Sequence, residues 1–356
     1  MNHIRILSRA FDITRFYRVL WIFGILLALT TANPGGNSGG SGGGPSAPNG
    51  NVPPTFDWPE DLPRFPPPSF DPGIVNNVIG IVIAVLCVVL ILIVLFSIVR
   101  YVSHTAVIRM GNLYEASGEK LSFRQGWRMG WSRAAFRAWL VDLIVGLIGI
   151  VFVLLTLALA ASPLALALTG EDAGRVIGIV MAVGLFFLML LVWIVVFSVV
   201  GIWLQLSYRA IALENLGVFA GLGRGWGLFR RHLGDTIIMA LIMFGISLVF
   251  AVLGFIIFFV LVLAGVAVAG IPALIAGFVT NLITQGGTPW MVGLLVGLPL
   301  LFLVVALPLL FVSGLYKIFE YNVWTLTFRE LLALEATQPP TPPTQEPPAS
   351  ELELSV

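Results

Sequence analysis

The stretch from Leu121 to Ala161, LSFRQGWRMGWSRAAFRAWLVDLIVGLIGIVFVLLTLALAA, decides the fold. Its first half interleaves arginines with aromatic residues. From Trp139 onward it is apolar except for Asp142, and long enough as a helix to cross a bilayer core, which takes ~20 residues. The same succession starts at Arg5 with RILSRAFDITRFYRVLW and at Val218 with VFAGLGRGWGLFRRHLGD. Aligning Ala10-Phe11, Gly130-Trp131 and Gly225-Trp226 matches a small residue and an aromatic ahead of each apolar run. Each following apolar run ends in an arginine with a glutamate five or six residues on: Arg109 and Glu115, Arg209 and Glu214, Arg329 and Glu335. Two proline-bearing tails recur as well, ASPLALAL from Ala161 and AGIPALIAGFV from Ala269. Pro163 and Pro272 predict that a helix reaching them bends or ends nearby. The pattern predicts three tandem helical hairpins, each with an amphipathic lead helix, a span out, an outer connection and a span back.

Composition agrees with a membrane chain. Of 356 residues, 58% are hydrophobic and 10% charged, against roughly 45–50% and ~25% in an ordinary soluble chain. Mean hydropathy is +1.00. The fold class predicted is an all-α, polytopic membrane helix bundle of six spans, near 17–32, 74–99, 139–162, 176–206, 237–263 and 291–316. The chain divides into a lead and first span (1–32), a Gly/Pro-rich outer loop (33–73), a five-span remainder (74–335) and a Pro-rich acidic tail (336–356) expected to be disordered. Of the 19 Lys and Arg, 17 fall on one side of this topology, leaving Arg64 and Arg175 on the other. The positive-inside rule then places both termini in the cytoplasm and the protein in the plasma membrane. Two alternatives stay open. Residues 237–279 are long enough for two spans, and the basic leader before Thr30-Thr31-Ala32 imitates a cleavable signal.

Several chemistries are excluded. A single cysteine, Cys87, rules out an internal disulfide and reads as a small buried hydrophobe. His3, His104 and His232 share no helical ligand spacing, so no metal site is expected. Gly221-Leu-Gly-Arg-Gly-Trp-Gly227 lacks the lysine and hydroxyl of a phosphate loop. Its glycines suit close packing of an interfacial helix, as do the pairs Gly174/Gly178 and Gly293/Gly297. No nucleophile elbow, zinc-protease motif or paired Cys/His arrangement appears. The chain is therefore expected to be no enzyme, to need no cofactor and to bind no nucleic acid.

What chemistry there is sits in the lead segments. At 100° per residue, Phe123, Trp127, Trp131, Ala134 and Ala138 share one stripe, flanked by Arg124 and Arg128 on one side and Arg133 and Arg137 on the other. Phe219, Leu222, Trp226, Phe229 and Leu233 repeat it, opposite Arg224 and Arg231, with Arg230 a further candidate. A helix so patterned lies in the headgroup plane with its guanidinium groups toward lipid phosphates. These seven arginines are the candidate contacts for anionic lipid. Asp142, Asn76 and Asn77 form a candidate intramembrane polar site, although Asp142, like Asp235, also suits a helix N-terminus. In the outer loop, residues 52–73 alternate prolines with Phe56, Trp58, Phe65 and Phe70 and are a candidate partner-docking segment.

The basic aromatic leads, paired spans, proline-bearing tails and exits such as SYRAIALEN from Ser207 resemble, over most of residues 5–335, the membrane domain attached to some glycerophosphoryl diester phosphodiesterases. That family's hydrolytic activity lies in a separate soluble domain, and no counterpart of it exists here. The resemblance thus implies a membrane module of uncharacterised role. The function expected is a membrane-organising or accessory module that contacts anionic lipid headgroups. The alternatives are a transporter or channel for a lipid-like or small solute, and a scaffold acting through residues 52–73.

Overall fold

The computed structural model describes residues 1–31, 72–167, 172–283 and 289–337, without the side chains of 72–79, 166 and 167. The proline-rich segment 52–73 (but for its last two backbone positions), the tail from 338 and the side chains of Asn76 and Asn77 lie outside the described residues. Those described form helices and no strands. In chain order they are α1 (His3–Phe16), α2 (Val19–Thr31), α3 (Pro72–Ser117), α4 (Phe123–Gly130), α5 (Arg133–Ala161), α6 (Leu164–Ala167), α7 (Asp172–Leu213), α8 (Val218–Arg231), α9 (Leu233–Ile283) and α10 (Pro289–Thr337). Five of them are long and apolar enough to cross a membrane, and six if α1 and α2, bent by 100° at their junction, count as one. The protein is a multi-pass helical membrane protein.

Two compact units divide the chain, Leu29–Arg100 and the rest. In the first, α3 presents exposed apolar side chains from Ile81 to Phe96. Cys87 is exposed among them, not buried as its chemistry suggested. The reason is the solvent: a span bathed in lipid has no need to bury a small apolar side chain within protein.

In the second unit the apolar lengths of the helices have little protein around them. At most 6% of the most apolar window of any long helix is buried. Two hairpins, α5 with α7 and α9 with α10, extend from one end of the unit. Gly293 and Gly297 of α10 cross Ala273 of α9 closely, with a built Cβ at 293 standing 2.9 Å from the Ala273 carbonyl oxygen. Pro163 falls in the turn after α5, whereas α9 continues through Pro272 as one helix of 51 residues. The tail from Ala269 is thus a continuation of α9. At 1.5 Å per residue α9 runs ~75 Å, well beyond a hydrocarbon core of ~30 Å.

The folded core is a cap at one end of the unit. The C-terminal parts of α3, α7 and α10 run into it, and α1, α4 and α8 wrap around them. Val102–Ile108 and Asn322–Phe328 are each buried at seven consecutive positions, so these helix segments are enclosed on every side. Ile6, Ala10, Ile13 and Tyr17 of the first lead pack there with Leu20 and Phe23 of α2, Met110 of α3, Met239 of α9 and Ile318 of α10. Leu206, Leu228, Phe229 and Phe328 form a second cluster.

Candidate functional site

The three lead helices are seated by small residues. On α4, a Cβ at Gly126 would stand 2.3 Å from the Met110 sulfur, and one at Gly130 2.3 Å from the Val102 carbonyl oxygen. On α8, a Cβ at Gly221 would stand 2.3 Å from Ile211, and one at Gly225 2.3 Å from the Ser207 hydroxyl. Both pairs are four residues apart and descend one face of a returning helix. Gly223 and Gly227, between and beyond them, meet nothing within 4 Å. On α1, Ala10 is fully buried, and Thr14, four residues on, accepts a hydrogen bond of 3.5 Å from Asn322.

A break separates each lead from the helix after it, at Tyr17-Arg18, Trp131-Ser132 and His232. The amide nitrogens of Tyr17, Trp131 and His232 each donate to the carbonyl four residues back. The stripe predicted across Phe123–Ala138 is therefore not one helix. Ser122 and Gln125 form a capping box that starts α4. Ser132 is extended and its hydroxyl accepts from Arg109 instead of capping α5. Ala134 and Ala138 consequently belong to α5, while Trp131, 60% exposed, sits at the elbow. On α8 the buried face is Gly221, Leu222, Gly225, Leu228 and Phe229. Phe219 is 78% exposed and Trp226 42%. The aromatic stripe thus straddles the edge of the buried face instead of coinciding with it.

The seven candidate arginines separate into two groups. Arg137 donates to the carbonyls of Asn215 and Leu216 at 2.7 and 3.0 Å. Arg224 pairs with Glu335 at 2.7 Å and Glu214 at 3.5 Å, and Arg231 with Glu335 at 3.0 Å. These three tie α5 and α8 to neighbouring helix ends. Arg124, Arg128, Arg133 and Arg230 are exposed and make no hydrogen bond or ion pair with a described residue. Arg124 and Arg128 stand on α4 with the exposed Phe123, Arg133 at the start of α5 between the exposed Trp131 and Phe136, and Arg230 on α8, four residues after the exposed Trp226.

Another three arginines, which the sequence marks only as exit signals, hold the cap together in a closed ring. Arg109 of α3 donates to the Ala212 carbonyl and the Asn215 side chain at the end of α7, at 2.9 and 3.1 Å. Arg209 of α7 donates to the Tyr321 carbonyl of α10 at 3.2 Å. Arg329 of α10 donates to the carbonyl and side chain of Asn112 on α3, at 3.1 and 3.3 Å. Each returning helix grips the next one by its main chain. Arg209 is fully buried, its Nη1 held by the Gln205 carbonyl and side chain, with the Tyr321 ring 5.8 Å below the guanidinium. Burial pushes its pKa down to about 10, so it keeps its charge at neutral pH.

Asp142 lies against this ring. It accepts from Tyr101 of α3 at 2.5 Å and from Tyr208 of α7. Burial, and then the neighbouring Asp142 carboxylate, push the Tyr208 hydroxyl well above its usual range, which keeps it a donor. His104 meets the Tyr208 and Tyr321 rings edge-on at 4.9 and 5.0 Å. Neither the tyrosines nor His104 stand out in the sequence. Their only mark is that polar residues persist after the apolar runs without a helix breaker. Asp235 begins α9, 3.8 Å from His3. Among the described residues no group of three or more His, Cys, Asp or Glu side chains could hold a metal ion.

The model of a Family of unknown function (DUF7544) matches residues 2–328. Neither a curated protein nor a solved structure matches the chain.

Proposed function

Because the chain belongs to this family of unknown function, its role has to come from the site, and we propose that it is a non-enzymatic membrane-organising or accessory module whose lead helices contact anionic lipid headgroups. The observation that carries this is the exposure of Arg124, Arg128, Arg133 and Arg230, without a hydrogen-bond or ion-pair partner among the described residues, beside exposed aromatic residues on the same helices. Aromatic and guanidinium groups side by side suit the headgroup layer, where ring and charge each find their own solvent. Each such arginine adds roughly 1 kcal/mol of attraction to an anionic leaflet. Arg137, Arg224 and Arg231 belong to the same faces but act on the protein. In this proposal the three lead–hairpin groups are tandem repeats arranged around the arginine ring, as the equivalent glycine contacts of α4 and α8 suggest. The resemblance to the phosphodiesterase-attached membrane domain belongs to the same proposal: a membrane module.

The test is lipid retention. Protein reconstituted in an equal mixture of phosphatidylglycerol and phosphatidylethanolamine is excised with its lipid shell and the shell composition measured. Arg124→Gln, Arg128→Gln, Arg133→Gln and Arg230→Gln together are expected to remove the enrichment of phosphatidylglycerol, with thermal stability retained. An unchanged shell defeats the proposal.

The proposal also places the cap, and both termini, in the cytoplasm at the plasma membrane, as the 17-to-2 distribution of basic residues supports. In a Cys87→Ser background, Asp172→Cys at the far end of α7 is expected to react with an impermeant maleimide on intact spheroplasts. Glu119→Cys, between α3 and α4, is expected to react only after lysis. The reverse pattern inverts the orientation.

A further inference from the structure

At its end away from the cap, the α9/α10 hairpin carries an open groove of about 740 Å³, running from Val266 to Asn281 on α9 and from Pro289 to Leu301 on α10. Small residues open it. A Cβ at Gly277 would stand 3.1 Å from the Pro289 carbonyl oxygen and 4.0 Å from the Cα of Gly293, so the two main chains meet there and leave a crevice alongside. Gly270, also on the groove, meets nothing within 4 Å. Residues 236–316 contain no charged side chain, and the hydrogen-bonding side chains that line the groove are Asn281 and Trp290. Both stand at the turn end, both are exposed, and neither makes a hydrogen bond to a described residue. At 1.5 Å per residue, Val266 to Asn281 is ~22 Å, about half of a bilayer of ~40–45 Å with its headgroups. Spread over that length, 740 Å³ gives a mean section of about 34 Å². A helix ~10–12 Å across needs about 80–110 Å². The groove therefore takes hydrocarbon chain lengthwise and is too narrow for a helix of a second copy.

We infer that this groove binds one uncharged lipid, a diacylglycerol, with its hydrocarbon along the glycines and its hydroxyl and ester groups at Asn281 and Trp290. The Trp290 indole N–H donates to an ester carbonyl, and the Asn281 amide both donates and accepts, which matches a head of one hydroxyl and two esters. Leu274 and Leu298 flank the chains. A phosphate in place of the hydroxyl would give up water for a site without a cation, a transfer that costs more than it returns. The groove thus selects against charge, where the lead helices select for it. It does not rest on the arginine faces, and the two fail separately.

The full chain is reconstituted in phosphatidylethanolamine and phosphatidylglycerol with a trace of diacylglycerol bearing a diazirine on one chain, illuminated, and its labelled residues mapped by mass spectrometry. Saturable labelling is expected between Val266 and Leu301, displaced by unlabelled diacylglycerol and not by added phosphatidylglycerol. Gly270→Leu fills the groove at a position where a side chain meets no protein atom, so the hairpin keeps its packing. It is expected to lower the labelling about tenfold, equivalent to ~1.4 kcal/mol. Gly254→Leu, on the same helix, equally open and outside the groove, is expected to change nothing. Asn281→Leu combined with Trp290→Phe is expected to remove the preference for diacylglycerol over phosphatidylglycerol. The four-arginine variant is expected to label as the wild type does. Labelling that does not saturate, that phosphatidylglycerol displaces equally, or that survives Gly270→Leu would each overturn the inference, as would a cross-link from the groove to a second chain.

Discussion

Leucine at position 225 is expected to abolish the folded cap, whereas leucine at position 223, two residues away on the same helix, is expected to be tolerated. A Cβ at 225 would lie 2.3 Å from the Ser207 hydroxyl and 2.8 Å from both the Cα and the amide nitrogen of Ser207. Two of those three atoms are main chain, so no rotamer change relieves the clash and α8 must lift off α7. Overpacking a core site costs ~1–3 kcal/mol when neighbours can adjust, and here the neighbour is backbone. Lifting α8 would also expose Leu222, Leu228 and Phe229, each worth ~1.5–3 kcal/mol when buried. Gly223 meets nothing within 4 Å, and exchanging a helical glycine there gains up to ~1 kcal/mol. Gly221→Ala should fall between them, since its obstacle is the movable Ile211 side chain. Size-exclusion chromatography and thermal unfolding in mild detergent would rank the three variants. Equal behaviour of 225 and 223 would mean that α8 does not pack by this face.

The contrast between those two glycines shows how far the sequence could be read. Hydropathy reveals the long helices because bilayer thickness imposes a length on any span, and that constraint is local. The small residues of the lead segments were legible too, as positions of close approach. Which glycines of Gly221–Gly227 make contact is not local information, because it depends on where Ser207 and Ile211 stand on another helix. The break at Trp131-Ser132 was hidden for a similar reason. A serine can cap a helix or serve a distant group, and here Arg109, 23 residues earlier in the chain, takes its hydroxyl. The arginines were countable but their uses were not. Arg128 and Arg137 read alike as flanks of one stripe, yet only Arg137 meets main-chain carbonyls, those of Asn215 and Leu216 between α7 and α8. The cap itself was nearly invisible, since Ser103, His104, Thr105 and Asn322 are buried polar residues in segments that look like short solvent-facing exits.

Among the ring arginines, Arg209 is expected to carry the largest cost on removal, and the identity of its replacement should reveal why. Arg209→Ala removes a fully buried side chain and leaves the Tyr321 carbonyl and the Gln205 amide without their shared donor. Each buried acceptor left unpaired costs ~1–3 kcal/mol, and the emptied volume adds a cavity. Arg209→Met keeps most of the volume and also deletes the charge, whose burial is itself unfavourable enough to bring the pKa down to about 10. Methionine should therefore recover a large part of the loss, as apolar replacements of buried ions often do. Arg209→Lys keeps the charge but not the fork that reaches Gln205 and Tyr321 together, so it should be worse than methionine. Arg109→Met and Arg329→Met are expected to cost less, since both guanidinium groups are only half-buried and water can replace lost bonds. Thermal unfolding at neutral pH in lipid nanodiscs measures the series. An order of alanine worst, then lysine, then methionine identifies Arg209 as a bolt between α7 and α10 whose packed volume matters more than its charge. If lysine instead matched the wild type, the charge alone would hold the junction, and the nearby Glu320 would become its partner to test.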